Sequence, residues 1–351
     1  MNIVMKKSTV LVASALFAFT FSASANATGV NFDGAAVGGC TLLTPLAGPT
    51  YSCAGLSPTT SFDDIFIASG YTVVMTGEAT LQSASAILGA NATLIGNLNS
   101  ASTVAMGAEA SITGQDVTPP IDAVTSATTV ALGAGSEVTG NINAGSTVAV
   151  GADAVVNGDV AATTTIAVGA NGLVNGNLNA GTTVALGANG SVSGDVDAGT
   201  TIAVGAGAWV AGDAEAGTTV ALGADSHVNG DVTSRTSTID LGVNAYIMGE
   251  TVTLQAAVTL GAGAFTCESV TAVTATLGAG AFVFGNLNAV TSTVAASGIV
   301  TGHIEGTTVT LGADACYGSI SATTITRGAG SGECTAAEVD AKSATCSGMQ
   351  P

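Results

Sequence analysis

The chain has 351 residues, 48 of them glycine, with 8% charged and 4% aromatic side chains. An ordinary globular core needs more large side chains than this, and the hydrophobicity is too high for a disordered chain, so the composition describes a thin core of Val, Ile, Leu and Ala. The formal charge of −19, from 24 acids against five Lys and Arg, repels nucleic acid and anionic headgroups and favours cations.

Residues 1–27 read as an export signal. Lys6 and Lys7 form the basic end, Val10 to Phe21 the apolar run, and Ala25-Asn26-Ala27 a small-residue cleavage site. No later apolar run is long enough and free enough of turn residues to span a membrane. The expected location is outside the cell or on its surface, or in the periplasm, and six cysteines suit such an oxidising compartment. Residues 28–70 hold Cys40, Cys53, Phe32, Tyr51, Phe62 and Phe66 outside any repeat. They are expected to cap the end of a stack, with Cys40–Cys53 as a local staple.

Degenerate repeats begin near Tyr71, and Asp116 to Asp122, with Pro119-Pro120, reads as a loop off one corner. From residue 126 to 232 one phrase is written six times. Its branched residue recurs at Val130, Val148, Ile166, Val184, Ile202 and Val220, eighteen residues apart, and its partner at Leu132, Val150, Val168, Leu186, Val204 and Leu222. A fixed period means stacked units. The apolar spacing of two within each unit is the strand period, and Gly187, Gly190, Gly194 and Gly199 mark corners. Eighteen residues with three corners make one coil of a triangular β-solenoid. After Val220 the period slips through Ile239, Val258, Ala275, Val294, Val309 and Ile325. Residues 71–330 are therefore the solenoid, about a dozen coils and roughly 60 Å long at ~4.8 Å per rung. Residues 331–351 suit a short helical C-terminal cap. Cys316 and Cys334 lie in successive coils and form the second candidate disulfide, although six cysteines leave the pairing open.

With Val184 and Leu186 pointing inward, Thr183 and Ala185 point out. The outward column runs Thr129, Thr147, Thr165, Thr183, Thr201, Thr219 and Thr238, followed by Thr274, Thr293, Thr308 and Thr324. The Ala column turns to Thr at Thr259, Thr276, Thr310 and Thr326. Threonine suits an exposed strand for its β-propensity alone. The same flat, half-apolar face is also a candidate for ordering water into an ice-like lattice. A second ladder stacks Asn141, Asp159, Asn177, Asp195, Asp213 and Asp231, beside Asn143, Asn179, Asp197 and Glu215. Stacked Asn residues bond along a solenoid, whereas stacked carboxylates repel. Asp195, Asp197, Asp213, Glu215 and Asp231 thus form either a solvated acidic corner or a calcium-seeking patch.

Catalysis finds little support. His227 and His303 lie in different coils without a carboxylate at a suggestive offset, and the repeat region holds only Arg235 and Arg327 as cations. That excludes the electrostatics of a hexapeptide acyltransferase, which handles a polyanionic cofactor, and of a β-helical polysaccharide lyase. Trp209 and Tyr246 read as isolated outward aromatics.

The alternation of Val-x-Gly-Asp/Asn-Val (Val192 to Val196) with Val-x-Leu-Gly-Ala (Val184 to Ala188) resembles the bactofilins over residues 80–330. The resemblance implies a right-handed parallel β-helix that stacks end to end into filaments without nucleotide. Bactofilins lack a cleavable export signal and leave their ends free, unlike the expectation here. The threonine ladder is similar to that of ice-binding β-solenoids, with Thr308-x-Thr310 and Thr324-x-Thr326 carrying the full pattern. The expectation is an exported, all-β, capped solenoid with a structural role and no enzymatic activity, as a scaffold, matrix or filament-forming protein. The alternatives are an ice-binding protein and a calcium-dependent adhesin-like matrix component.

Overall fold

The computed structural model describes residues 29–34, 37, 40–43, 49–54, 61–76, 80–115, 122–253 and 256–348. The segment 1–27, read above as an export signal, and the loop Asp116 to Asp122, apart from Asp122 itself, lie outside them.

Short strands, glycine corners and an eighteen-residue period produce a parallel β-solenoid of about 15 turns with a short C-terminal helix. In one coil, Thr183–Leu186 forms the first face, Ser191–Val192 the second and Val196–Ala198 the third. Each strand pairs in parallel with its counterpart one coil on, like residue over like: Thr183 over Thr201, Val192 over Val210, Ala198 over Ala216. Val184, Leu186, Val192 and Val196 point inward and are buried. Their columns make one continuous apolar strand of core along the axis.

The corners explain the glycines. After the first face the chain enters the left-handed region at Asp153, Asn171, Asn189, Asp225 and Asn244, and at Gly207 and Gly263 in the same column. Asn, Asp and Gly are the residues that tolerate that conformation. At the next corner close approach is the reason: a Cβ on Gly212 would overlap Asp195 Oδ1 and the Gly194 carbonyl.

The stack starts earlier than the Val/Leu phrase does. Ile65 and Ile67 lie over Ala86 and Leu88, and Thr50–Cys53 pairs in parallel with Thr72–Met75, so coils already exist before Tyr71. Aromatic rings fill the core there instead of Val. Phe32 meets Tyr51 edge-on at 5.0 Å, and Tyr51 stacks on Tyr71 at 6.2 Å. Thr41–Leu43 then pairs antiparallel to Thr50–Cys53 and covers its outer edge, and Cys40 is bonded to Cys53. About 15 turns make the rod about 70 Å long.

The other end carries two corrections. In the C-terminal coils Ser292, not Val294, occupies the inward column between Ala275 and Val309. Thr293 accordingly sits in the column of Thr276 and Thr310, and Thr291 continues the column of Thr274 and Thr308. A serine in a core position hid this register from a reading based on branched residues. The steps after Val258 are an even seventeen until the final sixteen-residue coil.

The second correction concerns the last segment. It forms a helix, α1 (Ala336–Ser347), whose start is fixed by a capping box between Thr335 and Glu338. Cys316 is bonded to Cys334, and Cys346 near the end of α1 is bonded to Cys267, four rungs back. Four rungs span about 19 Å and twelve helical residues about 18 Å. The helix therefore runs back along the flank of the rod and does not lie over its end. Ile325 lies in the column of the fully buried Val309, yet is 38% exposed.

Candidate functional site

Three surface columns concentrate the distinctive side chains, each held at one rung spacing by the pairing above. On the first face Thr129, Thr147, Thr165, Thr183, Thr201, Thr219 and Thr238 alternate with Ala131, Ala149, Ala167, Ala185, Ala203 and Ala221. Asp240 and Ala257 interrupt the pattern. Four consecutive Thr-x-Thr rungs follow: Thr274/Thr276, Thr291/Thr293, Thr308/Thr310 and Thr324/Thr326. The structure thus adds Thr291/Thr293 to the rungs whose threonines the sequence columns already placed. The adjoining corner has a different threonine ladder with a structural task. Thr164, Thr182, Thr200 and Thr218 donate to the carbonyl oxygens of Ser146, Thr164, Thr182 and Thr200 at 2.6–2.7 Å.

The Asn/Asp ladder at the corner before the third face is bonded through its backbone. Asn141 Oδ1 accepts from Asp159 N, Asp159 from Asn177, Asn177 from Asp195, Asp195 from Asp213, Asp213 from Asp231 and Asp231 from Glu250, all at 2.8–2.9 Å. Every member thus satisfies an amide of the next coil with an oxygen that Asn and Asp share. That is why both residue types occupy the column. In the neighbouring column Asp197 lies between Asn179 and Glu215. Its pKa is raised, first by partial burial and then by the nearby charges of Glu215, Asp195 and Asp213, with Arg235 opposing. Glu215 is paired with Arg235 at 2.5 Å. Among the described residues no three His, Cys, Asp or Glu side chains form a group able to hold a metal ion. The candidate calcium patch of Asp195, Asp197, Asp213, Glu215 and Asp231 is in this structure a hydrogen-bonded ladder flanked by an ion pair.

The second face holds a feature that sequence reading took apart. Trp209 and Tyr246 are not isolated: Trp209, His227, Tyr246, Phe265 and Phe282 stack in one column. Centroid distances are 5.9, 4.6, 4.9 and 4.5 Å, and the last four rings are nearly coplanar in tilt. Their steps of 18, 19, 19 and 17 match the slips already visible on the first face; following those slips would have revealed the column. Burial between rings lowers the His227 pKa and raises that of Tyr246. The flanking helix covers the upper end, where Cys346, Cys267, Phe265 and Phe282 form a small apolar cluster. Lys342 Nζ lies 4.3 Å from the Phe282 ring centre. His303, on another face, bonds Ser319 Oγ through Nδ1 at 2.7 Å.

Fold and faces together define a repeat protein of the parallel β-solenoid class. The family model Bactofilin, described as polymer-forming cytoskeletal, matches the repeats over residues 123–210 and again over 161–251, so these rungs are bactofilin-like. No curated protein and no solved structure matches the chain.

Proposed function

We propose that the chain is an exported structural protein, a scaffold or matrix rod that works by self-association and without catalysis. The observation that carries this reading is the coincidence of the bactofilin match with the most regular rungs, where identical residues lie over one another coil after coil. Such a stack gives a stiff axis, because each rung adds backbone hydrogen bonds and apolar contact to its neighbours. The segment read as an export signal and the three disulfides support a location outside the reducing cytoplasm. Sedimentation of the processed chain over a concentration series, with negative-stain microscopy, tests it. Concentration-dependent assemblies are expected; a monomer throughout overturns it.

A second reading rests on the four consecutive Thr-x-Thr rungs near the C-terminus. They present hydroxyls at about 4.8 Å along the axis and about 6.6 Å across it on an uncharged plane, a spacing that suits an ordered water layer. Ice-crystal shape and thermal hysteresis are the assay. If this array binds ice, Thr291→Lys and Thr308→Lys abolish faceting, while Thr183→Lys, in the Thr-x-Ala region, does not. Round crystals with the unmodified chain end this reading.

A further inference from the structure

The two ends of the rod differ in kind. At the N-terminal end the inward residues Phe32, Tyr51, Cys53 and Ile65 are at most 1% exposed. Tyr51 Oη accepts from Gly34 N at 2.8 Å, Tyr71 Oη donates to Asp33 O at 3.0 Å, and the antiparallel Thr41–Leu43 closes the second face. At the C-terminal end Cys316–Arg327 pairs with Ile299–Leu311 below it, whereas above it only Gly332–Glu333 is present, covering Cys316 and Tyr317. From Ser319 to Arg327 the outer edge of the strand is unpaired among the described residues. Its inward residue Ile325 is exposed, and Ile320 and Ala322 are only partly covered. The disulfide to Cys267 draws α1 down the flank and away from this edge.

Natural edge strands are blunted by lysine, proline, inward charges, bulges or a covering element. Residues 319–327 read Ser-Ile-Ser-Ala-Thr-Thr-Ile-Thr-Arg, with no proline, no acid and no lysine. In a chain of 24 acids this nine-residue edge carries no carboxylate. Its single charge, Arg327, is turned onto the Tyr317 ring at 5.2 Å and bonds its hydroxyl.

We infer that the C-terminal edge is a docking surface for a second copy of this chain, and that the closed N-terminal end stops assembly at a tail-to-tail dimer. The inference rests on the self-associating reading above and narrows it. The shape of the end selects the partner. Because the coil rises as it turns, the third-face strand is the lowest step, the first-face strand intermediate, and Gly332–Glu333 on the second face the highest. A twofold axis through the middle of the first face sets the low step of each copy against the high step of the other. It also pairs the two first-face strands antiparallel, with Ile325 against Ile325 and Arg327 opposite Thr323. The contact is isologous and closes on itself. A head-to-tail neighbour would have to offer its N-terminal edge, whose second face is already taken by Thr41–Leu43 running antiparallel. A contact of three short strand edges falls in the small class of weak, transient interfaces, for which a dissociation constant of about micromolar is expected.

Sedimentation velocity and native mass spectrometry on the full processed chain, from about 1 to 100 µM around that constant, test the inference. Ile325→Lys is the disrupting variant, since an exposed side chain is replaced without opening a cavity, and Leu43→Lys is its counterpart at the closed end. The expected result is a dimer whose dissociation constant rises at least about tenfold in Ile325→Lys and is unchanged in Leu43→Lys, with circular dichroism the same for all three. A dimer indifferent to Ile325→Lys overturns the assigned surface. Long filaments overturn the closed end and leave the self-associating reading intact. A monomer at every concentration overturns both.

Discussion

The helix on the flank gives the sharpest quantitative expectation. Its only buried residue is Cys346, Val339, Lys342 and Ser343 on the same side are half-buried, and Lys342 lies over Phe282. Nucleating a helix costs about 4 kcal/mol for a nucleation parameter near 10⁻³, and propagation through twelve mixed residues at 25 °C adds little. The capping box returns about 1 kcal/mol, and a cation–π contact at the surface about another 1 kcal/mol. Without the disulfide the helix, even with this contact kept, therefore lies about 2 kcal/mol uphill and is populated at a few per cent. In the double variant Cys267→Ser with Cys346→Ser, the amides of 339–347 should lose hydrogen-exchange protection by at least about tenfold. Protection in the coils from 126 to 232 should not change, because a solenoid transmits stability only between neighbours. A helix that stays as protected as in the disulfide-bonded chain would show that unrecognised packing holds it, and would refute this accounting.

Four other expectations concern the rod itself. Ile202→Ala removes a fully buried column member and should lower stability by about 2–4 kcal/mol in urea unfolding. Asp195→Ala deprives the Asp213 amide of its acceptor and should cost about 1 kcal/mol, whereas Asp195→Asn keeps the oxygen and should be close to neutral; added calcium should leave the melting temperature of both unchanged. The raised Asp197 pKa means that the folded state holds its proton more tightly, so stability falls as pH rises from the ordinary carboxylate value near 3.8 through the folded value. Asp197→Asn should then raise the melting temperature at neutral pH and have little effect in acid. The lowered His227 pKa has the opposite sense: stability present above 6.5 is lost as pH falls through the folded value, and His227→Phe should remove that dependence while keeping the ring stack.

What was legible in the sequence was whatever repeats at a fixed interval. The core columns, the Thr/Ala face and the Asn/Asp corner follow from an eighteen-residue period with strand alternation, because each rung copies the environment of the last. Features that depend on a slipped period were harder to read. Ser292 replaced a branched residue in the core, which shifted Thr291 and Thr293 by one column and hid the Thr-x-Thr rung they form. The ring column was missed because its members are chemically different, a Trp, a His, a Tyr and two Phe, and only their position makes them one set. The Cys267–Cys346 bond depends on the helix turning back along the rod, which no local spacing encodes.

The same contrast bears on how such a rod is limited in length. A perfect repeat has no internal reason to stop, since every coil presents the edge that the next would need. This chain ends its stack in two different ways. At the first coil, large rings replace the branched aliphatics and an antiparallel strand reverses the edge, so the apolar end is filled from within the chain. At the last coil the device is covalent and lateral: one disulfide fixes Cys334 beside the final turn, and the other pulls the remaining residues down over the ring column. Those bonds protect Phe265 and Phe282 and leave Ile325 uncovered. A segment meant only to keep the rod soluble would cover the exposed core at its end first. Covering the flank instead leaves that end available to a matching edge.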